Sequence, residues 1–180
     1  MLRRSVSTLR SSVAFSTWLT ASLLAAALAG CGIYTFSGGG GLPGYIDTIA
    51  ILPFDNQTTQ FTLTQELTQA LSDDVPGRLG LKPGAEGTAN AILRGTILRY
   101  SERATNYQER PGDPIIVQRR VEIAISVELY DVAENQVLWS SRSLSAYGEY
   151  LPDSQTEEVG RRIAIENLVQ KIIDGAQSQW

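Results

Sequence analysis

The chain has 180 residues, of which 43% are hydrophobic and 19% charged, with a net charge of −4 and no histidine. This acidic balance excludes broad binding to nucleic acid, which requires a basic surface. With no histidine and a single cysteine, the chain lacks the usual zinc ligands and the Ser/His/Asp and Cys/His nucleophile arrangements. We therefore expect a protein that is not an enzyme, holds no metal and needs no cofactor.

Residues 1–30 have the pattern of a secretory signal peptide. Three arginines form a basic start without acidic residues, and an apolar stretch over residues 18–28, too short to span a bilayer, precedes the small Gly30. Cys31 follows directly, as at the cleavage site of a bacterial lipoprotein. We predict cleavage between Gly30 and Cys31 and lipidation of Cys31. The alternative is an ordinary signal peptide with a chance cysteine, but a domain with structural cysteines would carry an even number.

The mature chain would begin at Cys31 with 19 acidic and 12 basic residues, a net charge of −7. Such a charge does not favour adhesion to anionic lipid, so we expect attachment through lipid on Cys31. Gly32 stands where an aspartate would tend to retain a bacterial lipoprotein in the inner membrane, which favours the periplasmic side of the outer membrane. Four consecutive glycines predict a flexible tether over residues 31–45. A single domain would then occupy residues 46–180.

The first half of this domain begins with a predicted strand over residues 46–54 and a polar turn over 55–59. A capping-box pattern at residues 62–65 predicts the start of a helix that ends around residues 73–77. Its apolar stripe comprises Leu63, Leu67, Ala70 and Leu71. A short edge strand over residues 79–82 is left open, because glycines weaken the pattern.

The second half contains longer strands. Residues 91–101 alternate, with Tyr100 on the outward face, and a polar loop is predicted over 102–114. Residues 115–130 and 137–150 form the next two strands, joined by a hairpin. The residues of the former expected to face the core are Val121, Ile123, Ile125, Val127 and Leu129.

A second capping box at residues 154–157 predicts a long helix to about Ala176. The residues placed near its apolar face are Val159, Ile163, Asn167, Ile172, Ile173 and Ala176, and Leu168 and Val169 widen that face. The element order is therefore β-α-β-β-β-α. It predicts an α+β fold in which two helices pack on one face of a four-stranded mixed sheet. The other face is semi-polar and can meet water or a partner.

Several segments, in order along the mature chain, resemble the LptE family of LPS-assembly lipoproteins. The cysteine-proximal segment GIYTFSG at residues 32–38 is the more specific part, together with LP at 42–43 and IDTIAI at 46–51. The other segments are 54–56 with Thr58, AILRGTI at 91–97, the strand at 121–129 followed by VLW at 137–139, and a tail with 157–158, Ala164, 166–168, 172–173 and Trp180.

The resemblance implies two helices on a four-stranded sheet, in agreement with the element order. It also implies an outer-membrane lipoprotein seated inside a large β-barrel, LptD. There it would plug the lumen, help the barrel to assemble and assist delivery of LPS to the cell surface. A polar, compact domain with a lipid tether at the periplasmic rim suits such a role.

Basic side chains are the candidates for contact with LPS or with the barrel, because they can bond phosphates and sugar acids. They are Arg94, Arg103, Arg110, Arg119 and Arg120. Each could instead be a solvated or barrel-facing charge. Residues 151–158, before the last helix, are acidic and contain no lysine or arginine, which departs from the pattern expected of an LPS-binding member.

Two other functions remain open from the sequence. Residues 49–56 also resemble the opening strand of lipoproteins that activate a periplasmic enzyme such as a peptidoglycan synthase, and of curli-secretion lipoproteins. Those families usually lack the Tyr34 and Phe36 pattern beside the cysteine. The linker over residues 32–45 spans at most about 50 Å, short for a reach through peptidoglycan. A small-ligand lipoprotein that uses the open sheet face is the third hypothesis.

Overall fold

The computed structural model describes residues 42–109, 111–112 and 115–178, all within the compact unit Gly40–Trp180. The predicted signal peptide, its cleavage site at Gly30 and Cys31, most of the tether and Arg110 lie outside the described residues. No helix in the described part of the chain is long and apolar enough to cross a membrane.

Six strands and two helices form the described structure. In chain order they are β1 (Thr48–Ile51), β2 (Asp55–Asn56), α1 (Leu63–Leu79), β3 (Lys82–Pro83), β4 (Ala91–Gln108), β5 (Ile115–Asp131), β6 (Gln136–Tyr150) and α2 (Glu157–Gln177). The predicted α+β class and the presence of two helices are confirmed.

The strands form one mixed sheet in the order β3-β1-β4-β5-β6, with β2 beside β4. The short strands pair in parallel, whereas β4, β5 and β6 form an antiparallel meander. The predicted count of four strands is wrong, because β2 and β3 add two. Each has two residues, too few for a visible alternation, and β2 falls within the predicted polar turn, where Asp55 and Asn56 pair with Thr96 and Ile97.

The hairpin of β4 and β5 is longer than the sequence predicts. Residues 102–108, expected to be a polar loop, continue β4 and pair with β5. Their local composition favours a loop, but the partner strand supplies the hydrogen bonds. A register shift at Leu98 also exchanges the faces of β4, since Ile97 pairs with Ile125 and Tyr100 with Ile123. Tyr100 therefore lies on the helix side of the sheet, contrary to the prediction.

The helix boundaries depend on packing more than on caps. Neither Thr62 nor Thr156, the residues that precede the helices, makes a side-chain capping hydrogen bond, so the predicted capping boxes do not form. α1 continues to Leu79, two residues beyond the predicted range for its end, and Val75 and Pro76 within it are buried. It ends at Gly80, whose φ of 72° is a left-handed conformation that favours glycine.

The core lies between the helices and one face of the sheet. The predicted core residues of β5 are confirmed as buried, as are Leu63, Leu67 and Leu71 of α1. The C-terminal half of the predicted face of α2 is confirmed, since Leu168, Val169, Ile172, Ile173 and Ala176 are buried. Nearer its start, Gly160 and Ala164 are buried, Val159 and Ile163 are half-buried, and Asn167 is exposed, contrary to the prediction. A Cβ on Gly148 of β6 would lie 2.1 Å from the Gly160 carbonyl oxygen, so small residues set this close approach.

Candidate functional site: the polar face of the sheet

The face of the sheet opposite the helices carries a ladder of polar side chains. It is built by the alternation of β4, β5 and β6, which sends every second side chain away from the core. Because the core-facing residues of β5 are buried, their neighbours Arg120, Glu122, Ser126, Glu128 and Tyr130 project to this open face.

One end of the open face is organised around Arg94. Arg94 of β4 stands directly opposite Glu128 of β5, and its Nε lies 2.5 Å from Glu128 Oε1. The guanidinium also sits 5.1 Å from the ring centroid of Tyr130. Its charge is therefore neutralised across the strands, and the aromatic ring adds a cation–π contact.

The other end contains two further arginines. Arg103 Nη2 lies 2.9 Å from Glu122 Oε2, and Arg120 Nη2 lies 2.5 Å from Glu149 Oε1. Arg120 also stacks over Tyr147 at 4.1 Å from the ring centroid. The hydrogen bond to Glu149 holds the pKa of Arg120 above its usual value. These pairs tie β4, β5 and β6 together through side chains.

Arg119, the fourth described candidate, is not on the open face. It pairs with Glu102, Nε to Oε1 at 2.7 Å, and Tyr150 donates a hydrogen bond to the same carboxylate oxygen. The Arg119 guanidinium is the main cause that holds the pKa of Glu102 below its ordinary value of 4.5. Arg119 shares the alternation of Val121 and Ile123 along β5, so it lies on the helix side of the sheet, opposite Tyr150 of β6.

All four described candidates are therefore ion-paired, and three of them share one face. Two other arginines, Arg99 and Arg142, are exposed and form no ion pair among the described residues. Arg99 stands opposite Ala124, so no carboxylate faces it across the ladder. Neither arginine was among the candidates predicted from the sequence, because the lack of a carboxylate partner becomes visible only in the register of the sheet.

A concavity of about 650 Å³ lies on this face where β6 shifts register. Its lining combines hydroxyl groups with charged side chains. The charged residues are Asp55, Arg94, Glu128 and Arg142, and the hydroxyl residues are Thr96, Ser126, Ser140 and Ser141. Gly95 forms part of it, and a Cβ there would lie 2.2 Å from the Ser126 carbonyl oxygen. The backbone of β4 is thereby packed tightly at this point, so the concavity has a firm floor.

A buried ion pair joins the two helices on the opposite side of the sheet. Arg161 of α2, with a side chain 10% exposed, bonds Glu66 of α1 at 2.8 Å. Glu157 lies 3.6 Å from the same guanidinium and accepts a hydrogen bond from Tyr100. Burial, and then the hydrogen bond to Glu157, raise the pKa of Tyr100 above its usual value. This network fixes both helices to β4.

The segment that follows the tether is attached at the far end of β5. The Tyr45 hydroxyl donates a hydrogen bond to the buried Asp131, which raises the pKa of Tyr45 to about 12. Asp131 also accepts the backbone N–H groups of Ala133 and Glu134 at 2.9 and 3.2 Å. β5 begins at the β4–β5 hairpin and ends at Asp131. The hairpin and the contact between Tyr45 and Asp131 therefore lie at opposite ends of the sheet.

The described residues contain no cluster of three or more His, Cys, Asp or Glu that could hold a metal ion. Their polar groups are arranged as cross-strand pairs and ladders. This arrangement can present a rigid, hydrophilic surface to a partner, on which Arg94, Arg103 and Arg120 are neutralised by carboxylates.

The fold is similar to that of several solved bacterial proteins. Lipoprotein B of Nitrosomonas europaea is 14% identical, with a TM-score of 0.54 over 82% of this chain and 91% of that one. A Xanthomonas campestris protein is 9% identical, with a TM-score of 0.54 over 78% and 91%. The PelC dodecamer of Paraburkholderia phytofirmans is 17% identical, with a TM-score of 0.50 over 79% and 96%.

The family model for lipopolysaccharide assembly, LptE, matches residues 46–176. The chain therefore belongs to the LptE family, and the predicted resemblance is confirmed. A comparison with curated protein sequences finds no significant match.

Proposed function

We propose that this protein is a non-catalytic lipoprotein, held at the periplasmic side of the outer membrane by lipid on Cys31. It plugs an LptD-type β-barrel and helps the barrel to assemble, so that LPS can reach the cell surface. The observation that carries the proposal is membership of the LptE family over residues 46–176.

The open face of the sheet supports this role. The lumen of a large outer-membrane barrel is polar, so a plug needs a hydrophilic surface that does not leave charges unpaired when water is excluded. Arg94, Arg103 and Arg120 each have a carboxylate partner within 3 Å. We assign these three arginines to contact with the barrel, because LPS phosphates would have to displace the carboxylates first.

The position of the tether gives the plug an orientation. The chain enters the domain near Tyr45 and Asp131, whereas the β4–β5 hairpin lies at the other end of β5. Seventeen residues of strand span about 55 Å. With the lipid at the periplasmic rim, the Tyr45 end would stay at the mouth of the barrel and the hairpin would extend into the lumen.

Affinity purification of the C-terminally tagged, lipidated protein from mildly solubilised outer membranes tests the proposal. We expect a large β-barrel protein in roughly stoichiometric amount, identified by mass spectrometry. Recovery of a peptidoglycan synthase without a barrel would contradict the proposal and favour the enzyme-activator alternative.

A charge-reversal pair tests the assignment of the open face. Arg103→Glu with Arg120→Glu should reduce recovery of the barrel, because each change sets two carboxylates against one another. The matched control is Arg78→Glu with Arg162→Glu, which makes the same charge change at exposed positions on the two helices. Equal recovery with both double variants would contradict the assignment of the sheet face while leaving the barrel partner established.

A further inference from the structure

β6 lies at one edge of the sheet and has a hydrogen-bonded neighbour, β5, on one side only. It has 15 residues and no proline. Such an edge presents a row of unpaired backbone N–H and C=O groups, to which a further strand can add. The edge therefore needs either a partner or a device that closes it.

Two side chains of α2 reach this edge. Asn167 Nδ2 donates a hydrogen bond to the Tyr147 carbonyl oxygen at 2.9 Å, and Lys171 Nζ donates to the Ser145 carbonyl oxygen at 2.6 Å. The donors are four residues apart on one helix, about 6 Å along its axis, and the acceptors are two residues apart on a strand, about 7 Å. The two spacings match, so one helix face serves both carbonyl groups.

The carbonyl groups of Ser145 and Tyr147, which accept these hydrogen bonds, are the groups that an added strand would use. In an antiparallel ladder the residues of one strand point their backbone groups alternately towards and away from the neighbour. Ser145 and Tyr147 are two residues apart, so their backbone groups point to the same side of β6. Because both carbonyl groups accept hydrogen bonds from α2, that side is the one that faces away from β5. Both donors are exposed, whereas Leu168 and Ile172 beside them carry the packing of α2. Asn167 and Lys171 are thus free of any role in the core.

We propose that Asn167 and Lys171 close the edge of β6 against addition of β6 from a second copy of this chain. The strand is suited to pair with itself, because its only charged residues are Arg142 and Glu149. An antiparallel pair centred on Ala146 sets the outward backbone groups of Ser145 in one copy opposite those of Tyr147 in the other, and it keeps the two Arg142 side chains apart. This inference does not depend on the proposed function.

Sedimentation velocity of the purified full-length lipoprotein in detergent tests the proposal. Wild type should sediment as a single copy at all concentrations. Asn167→Ala with Lys171→Ala should show a sedimentation coefficient that rises with concentration towards that of a dimer. A wild-type dimer paired through β6, or a double variant that stays a single copy with an unchanged near-UV spectrum, would overturn the proposal.

Two further variants make the result specific to the edge. Arg162→Ala with Glu166→Ala removes two exposed side chains from the same helix and should leave the protein as a single copy. Ser145→Pro, added to the Asn167→Ala and Lys171→Ala changes, should restore the single copy, because proline is tolerated where the N–H points outward and it blocks a further strand. A triple variant that remains dimeric would show that the dimer forms elsewhere and would also overturn the proposal.

Discussion

The guanidinium of Arg161 on α2 bonds the carboxylate of Glu66 on α1 with an Nε–Oε2 distance of 2.8 Å, and the two residues are 95 positions apart. The Arg161 side chain is 10% exposed and that of Glu66 is 33% exposed. A charged pair at the junction of the two helices fixes how they sit relative to each other, because neither charge can be left alone there without cost.

Replacing Arg161 by alanine should therefore lower the free energy of unfolding by about 2 kcal/mol, the value of a hydrogen bond to a charged group. Denaturant titration measures the change. Its neighbour Arg162 is the matched control, since its side chain is 69% exposed and its pair with Glu166 is long, at 3.8 Å. Arg162→Ala should change the stability by less than about 0.5 kcal/mol. Equal effects would show that the Arg161 pair does not stabilise the helix junction.

Ile125→Asp should prevent folding. Ile125 is fully buried in the centre of β5, and an aspartate there would place an unpaired charge in the core. Ser126→Asp, one residue along on the open face, should fold with a cooperative thermal transition. Circular dichroism during heating distinguishes the two. A cooperative transition for Ile125→Asp near that of wild type would contradict the assigned faces.

Gly148→Ala should destabilise the contact between β6 and α2. The added Cβ would meet the Gly160 carbonyl oxygen at 2.1 Å and the Ala164 nitrogen at 2.7 Å, and both are backbone atoms that cannot turn aside. We expect a loss of about 1–3 kcal/mol, typical of overpacking. The control is Gly87→Ala, where no atom lies within 4 Å of the new Cβ. An unchanged midpoint for Gly148→Ala would show that α2 can shift away from β6.

The pair of Glu102 and Arg119 should make part of the stability dependent on pH. The Arg119 guanidinium lowers the pKa of Glu102 below 4.5 in the folded state, so the unfolded chain binds this proton more readily. Its contribution is present above pH 4.5 and is lost as the pH falls through the folded-state pKa. The stability difference between wild type and Glu102→Gln should thus shrink on acidification below pH 4.5. A difference that stays constant into that range would contradict the pairing.

Cys31→Ala should leave the domain folded but release it from the membrane into the periplasm. The physical reason is that the mature chain is acidic and would lose its lipid anchor. Fractionation followed by immunoblotting measures the distribution. Continued recovery of the variant with the membranes, in cells that lack any barrel partner, would show that Cys31 is not the anchor.

Much of the fold could be predicted from the sequence, because local patterns determine it. The alternation of Val121 to Leu129 identified the buried face of β5, and the spacing of Leu63, Leu67 and Leu71 identified that of α1. In both elements the apolar side chains themselves form the core, so the spacing of apolar residues in the sequence matches the spacing of buried residues in the structure. Membership of the LptE family could also be predicted, since the matching segments lie in order along the chain.

The candidate site could be predicted only in part. Arg94, Arg103 and Arg120 are on the open face as basic strand residues, but their carboxylate partners come from other strands through the register of the sheet. Arg119 lies on the helix side because it shares the alternation of Val121 and Ile123 along β5, whereas Tyr100 lies there because β4 shifts register at Leu98. A register shift arises between strands and leaves no mark in either sequence alone.

The sequence by itself determined the element order, the core faces of α1 and β5, and the family, because these depend on the periodicity and identity of neighbouring residues. Only the tertiary structure decided the strands β2 and β3, the full length of the β4–β5 hairpin, the burial of Gly160 and Ala164 in α2 and the partner of each arginine. These features are set by contacts between residues far apart in the chain. The close approach of Gly148 to Gly160 and the carboxylates on neighbouring strands are such contacts, and they outweigh the structural preference of the local sequence.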